Sequence, residues 1–159
     1  MSLNSSAAAE RSIEDRFAIC GITLLRLALG VMFLAHALIL KWLTYTLPGT
    51  AQYFVSVGLP AWLGYVTFSC EAIGGSLLVL GIQTRWVALG LSPFLIGAIV
   101  AVHWQNGWVF TSPNGGWEYP AYLVVLCLAQ SLLGDGHFAL KPSTLPRFLN
   151  RNSFTANRA

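Results

Sequence analysis

Residues 18–43 read AICGITLLRLALGVMFLAHALILKWL, and this run decides the fold. Ionisable side chains interrupt it only at Arg26, His36 and Lys41. About 20 apolar residues suffice to cross a hydrocarbon core of about 30 Å. This run is longer, so it spans with tilt or projects beyond the bilayer. Ala35-His36-Ala37 resembles a signal-peptidase site, but the length of the run and the apolar runs behind it argue against cleavage.

Three further runs follow, at about 60–81, 85–102 and 118–133. Pro60 suits a helix start, where its missing N–H has no partner to lose. Pro93 lies inside the third run and predicts a kink there. Of 159 residues, 55% are hydrophobic and only 9% charged. Soluble domains carry about 25% charged residues, so this chain has too few to cover a water-facing surface. The net charge of +3 forms no basic patch for nucleic acid. Cys20, Cys70 and Cys127 sit in or beside apolar runs, with no CxxC or CxxCH spacing, and read as small apolar residues.

Lys and Arg counts set the orientation. Four spans put the N-terminal tail, the 82–85 loop and the C-terminal tail on one side, with Arg11, Arg16, Arg85, Lys141, Arg147, Arg151 and Arg158. The opposite side has Lys41 alone. The expected fold is an all-α integral membrane four-helix bundle with both termini cytoplasmic. Residues 1–17 read as a mobile tail, with a short interfacial helix near 13–17. Residues 18–140 are the bundle, and 141–159 a basic tail. Residues 53–55 suggest a second interfacial helix.

Charges within hydrocarbon are costly and should face the bundle and pair. Arg26 lies about 12 Å from the start of the first span and Glu71 about 16 Å from the start of the second, at 1.5 Å per residue. The two depths match across antiparallel neighbours, so an Arg26–Glu71 ion pair is expected. Gly64, Glu71, Gly75 and Leu78, with Gly74 beside them, form one stripe. Arg26, Gly30, Phe33 and Ala37 form another, as close-packing membrane helices require. The pair reads either as a packing lock or as part of a proton path or substrate site. His36, Lys41, His103, Glu118 and Tyr119 gather near the outer boundary. Arg26, His36, Glu71, His103, Glu118 and Tyr119 are the candidate substrate-binding residues, with Glu71, His103 and Glu118 as catalytic candidates. No haem or metal motif is present.

The ordered set Leu25-Arg26-Leu27, Gly30, Phe33, His36, Lys41, Gly58-Leu59-Pro60, Glu71-Ala72-Ile73-Gly74-Gly75, Leu80-Gly81, Thr84-Arg85, His103, Asn106-Gly107 and Gly115-Gly116-Trp117-Glu118-Tyr119-Pro120 resembles the DoxX family of small bacterial membrane proteins. Ala37 departs from the glycine frequent there after the histidine. The resemblance implies a bacterial inner-membrane protein and a quinone-linked redox system, with quinone as the cofactor class. Some relatives are subunits of a thiosulfate:quinone oxidoreductase or quinol oxidase, and others have redox-stress partners. It leaves open whether the chain is catalytic, a non-catalytic assembly partner, or an oligomeric small-molecule or ion carrier. The expected partners are the lipid bilayer, redox proteins and further copies of the chain.

Overall fold

The computed structural model describes the backbone of residues 2–144 and the side chains of residues 12–144. The basic tail read at 141–159 therefore falls, beyond Thr144, outside the described residues. The regular structure of the described residues is helical, with one isolated bridge between Ile82 and Lys141. Helix α1 is Ser2–Leu34, α2 Leu47–Ser56, α3 Ala61–Leu80, α4 Thr84–Ala98 and α5 Glu118–Leu133. The α1 backbone is already helical through the stretch read as a tail.

Two of these helices continue with changed winding. α1 runs on as a π-helix over Ala35–Thr44, and α4 over Ile99–His103, followed by a 3₁₀ turn at Trp104–Asn106. Three continuous stretches, Ser12–Thr44, Ala61–Leu80 and Thr84–Asn106, are long and apolar enough to cross a membrane. Glu118–Leu133 is equally apolar in character but shorter. The chain is a multi-pass membrane protein.

Local chemistry sets the helix ends. Gly81 is left-handed at φ 69°, where its N–H bonds Leu78 O and that of Ile82 bonds Leu77 O. That paired pattern stops α3 and turns the chain into α4. The α2 start is capped by Thr46, whose Oγ1 accepts from Gly49 N at 3.2 Å. Pro93 sits inside α4 without ending it.

Glycines allow the closest contacts. A Cβ on Gly75 would lie 2.9 Å from Gly30 O, so α1 and α3 touch backbone to backbone. Gly74 lies beneath Leu91 of α4, and Gly64 beneath Ala51 of α2. Leu29, Phe33, Leu78, Ala88, Leu91, Leu95, Leu123 and Cys127 fill the space between α1, α3, α4 and α5.

The segment 134–144 folds back across the end of the bundle as a strap. Leu140 N and Lys141 N bond Leu80 O and Gly81 O, both at 3.1 Å, and Gln83 N bonds Lys141 O at 2.8 Å. At the other end, the 107–117 loop closes on itself through Gly116 N to Val109 O, Trp117 N to Gly107 O and Glu118 N to Trp108 O.

Candidate functional site

Glu71 is buried midway along α3, and its partner is Lys41. Lys41 Nζ lies 2.6 Å from Glu71 Oε2, with side-chain exposures of 13% and 9%. The Arg26–Glu71 pair expected from depth is not formed. The glycine contact explains why. With Gly30 against Gly75 and Val79, the antiparallel register sets Arg26 beside Gly81. Glu71 is ten residues farther along α3, roughly 15 Å away at 1.5 Å per residue. The depth estimate failed because it measured from the apolar start of the first span, whereas α1 overhangs the rest of the bundle at that end. Helical side chains lean toward their own N-terminus, so Lys41 reaches inward from the far end of α1.

The π-helical winding helps to place this lysine. Tyr45 N bonds Leu40 O, and Thr44 Oγ1 donates to Ile39 O, both five residues back. From α2, Thr50 Oγ1 donates to Lys41 O at 3.1 Å. α2 thus holds the backbone that carries Lys41, and it packs on α3 at Gly64, two turns before Glu71. The pair sits among Ala37, Thr67 and Gly75, all buried. An ammonium held beside a carboxylate in so dry a place can offer a hydrogen bond to a polar group entering between the helices, and the carboxylate can accept one. One helical face away, Cys70, Gly74 and Leu77 line an apolar groove against Val87, Gly90 and Phe94 of α4.

Arg26 belongs to a second polar centre, under the strap. It is 2% exposed, and its Nη1 donates to the backbone oxygen of Asp135 at 2.6 Å. The Asp135 carboxylate accepts from Thr84 N (3.1 Å), Ser143 N (2.9 Å) and Ser143 Oγ (2.8 Å). Burial pushes this carboxyl upward, but the hydrogen bonds from Ser143 and Thr84 outweigh it and hold it below its ordinary value. Gln130 is fully buried and donates to Gly134 O at 2.6 Å. Arg26 Nε, Thr84 Oγ1 and Gln130 Oε1 are buried without a partner in the protein. In the sequence, Gly134-Asp135-Gly136 marks only the end of the last apolar run. A carboxylate held between two glycines was the available sign of a built turn.

The outer residues do not form one site. His36 Nδ1 donates to Met32 O at 3.0 Å, one turn back on its own helix. His103 Nδ1 donates to Gly115 O at 2.9 Å, beside Asn106 Nδ2 on the same carbonyl. Glu118 Oε2 accepts from Phe110 N at 3.2 Å. Trp117 stacks on Trp104 at 5.6 Å and meets Trp108 edge-on at 4.4 Å. His103, Asn106 and Glu118 therefore fasten the 107–117 loop. Tyr119 is 46% exposed. Among the described residues, no three His, Cys, Asp or Glu side chains converge.

The comparisons with known proteins agree with this architecture. The DoxX family model matches residues 21–104, from α1 to the end of the π-helical extension of α4. The chain is 34% identical over 122 residues to "Putative oxidoreductase CatD" of Bacillus subtilis (strain 168), covering 77% of this chain and 85% of that protein. No solved structure matches significantly. The matched stretch contains both members of the Lys41–Glu71 pair and the glycines that set their register, and the chain belongs to the DoxX family.

Proposed function

We propose that this chain is a four-span protein of the bacterial plasma membrane, with both termini in the cytoplasm, and a component of a quinone-linked redox system. The observation that carries the reading is the buried Lys41–Glu71 pair at 2.6 Å. Few structural needs justify two charges at such a place in an apolar bundle. The family relation adds support, since the relative matched along most of its length carries the name "Putative oxidoreductase CatD". The uneven distribution of Lys and Arg supports the orientation.

The residues suit a quinone chemically. Lys41 Nζ is a hydrogen-bond donor for a ring carbonyl, and Glu71 can hold the proton that accompanies reduction. The groove lined by Cys70, Gly74 and Phe94 offers an apolar bed for a long tail. A bound quinone would supply the two-electron acceptor. The chain's part is to orient the ring, exclude water and pass a proton at Glu71.

The test is thermal stability of the purified protein with ubiquinone and menaquinone analogues. Wild type should be stabilised by one class. Glu71→Gln should keep its helical content and lose that stabilisation. Indifference of the wild type to every quinone would sink the reading and favour a non-catalytic assembly partner.

A further inference from the structure

The strap 134–144 carries two features at odds with water. Its backbone is pinned at Leu140 and Lys141 to Leu80, Gly81 and Gln83 at the α3–α4 turn, and His137 N donates to Thr23 Oγ1 of α1 at 2.7 Å. Ala139 is packed against Gly81. That leaves its two neighbours facing outward: Phe138 is 87% exposed and Leu140 71%. Phe138 also has φ of 56°, a left-handed conformation that bulky residues seldom adopt. A pinned chain in a strained conformation presents two large apolar side chains, so fraying does not account for their exposure.

We propose that the strap is a lipid-interface wedge, with Phe138 and Leu140 seated among acyl chains and Lys141 against anionic phosphates. The inference rests on the membrane-spanning reading of α1, α3 and α4. Its first support is depth. The strap meets α1 at Thr23, whereas Phe17, 73% exposed and followed by Ala18, Ile19 and Cys20, lies about 9 Å farther toward the N-terminus at 1.5 Å per residue. Lipid that reaches Phe17 also reaches the strap. The second support is charge. Lys141 is exposed and Arg85 stands at the base of the strap, while the Asp135 carboxylate is turned inward to Thr84 and Ser143. The outward strap is thus basic and apolar, as an anionic leaflet requires. The third is Trp86, 42% exposed, whose Nε1 donates to Thr144 O at 3.2 Å. Such amphipathic rings favour the headgroup level.

Nitroxide labels test this in a background where Cys20, Cys70 and Cys127 are alanine. Single cysteines are placed at Phe138, Leu140, Ile96 and Asn114, and the protein is reconstituted in phosphatidylethanolamine/phosphatidylglycerol vesicles. Power saturation then compares oxygen with a water-soluble nickel chelate. Labels at 138 and 140 should follow Ile96, open to oxygen and shielded from nickel, and Lys141→Glu should raise their nickel access at least twofold. Nickel access equal to that at Asn114 overturns the wedge while Ile96 still confirms the span. Shielding from both reagents overturns it in favour of a protein contact. Nickel access at Ile96 itself overturns the membrane-spanning reading, and the wedge with it.

Discussion

At the scale of single residues, the fold depends on buried charges finding the right partner. Removing one member of an inside pair leaves the other unmatched, at a cost of about 3–5 kcal/mol, whereas replacing both by apolar groups is often neutral. Lys41→Met and Glu71→Leu should each lower thermal stability sharply in detergent, and the double variant should recover most of the loss. A loss in the double variant equal to the sum of the two single losses would show that the pair is not coupled. Asp135 gives a pH prediction. Its folded pKa lies below the ordinary 3.8, so its stabilisation is complete above that value and falls away as pH drops below it. The protection factors of the Leu140 and Lys141 amides, with the intrinsic pH dependence of exchange divided out, should fall below about pH 4 in the wild type. In Asp135→Asn they should be low already at neutral pH and insensitive to acid. The sequence disclosed which residues were out of place in lipid, including Glu71, Arg26 and Lys41. It did not disclose who meets whom, because depth counted from apolar boundaries ignores the register that Gly30 and Gly75 impose.

At the scale of elements, glycines behave differently according to what faces them. At Gly30 a methyl group would meet Val79 Cγ2 at 2.8 Å and Gly75 O at 3.0 Å. Gly30→Ala should therefore destabilise the α1–α3 contact by about 1–3 kcal/mol, as overpacking does. At Gly90 nothing lies within 4 Å, so Gly90→Ala should be neutral or stabilise by up to about 1 kcal/mol. Unfolding of both variants in one detergent makes the comparison; equal effects would discard the close-contact account. The apolar periodicity made the stripes of α1 and α3 legible, and every stripe residue is buried. The π-helical winding of Ala35–Thr44 was not legible, because no residue type demands it and only packing against α2 and α3 selects it. The strap was equally hidden, since its order comes from hydrogen bonds to Leu80, Gly81 and Thr23, distant in sequence.

At the scale of the whole molecule, orientation is the property to measure first. Reporters active only in the cytoplasm should work when fused at either terminus and fail when inserted at 110–114. The reverse pattern would invert the proposed topology. Composition and the length of the apolar runs revealed the membrane class without any structure. The overhang of α1 escaped them, since an apolar run does not say where its neighbours stop. The π-helical turn has one more consequence, in the arithmetic of chain length. Gly30 anchors α1 upstream, and the segment between it and Lys41 winds with bonds five residues apart. Ordinary winding over the same residues would swing Lys41 by about 100° away from Glu71, and deleting one residue at 37–40 would offset that swing. Here the molecule is built to a count, and the stretch should bear the loss of one residue, with ordinary winding, more easily than a further insertion.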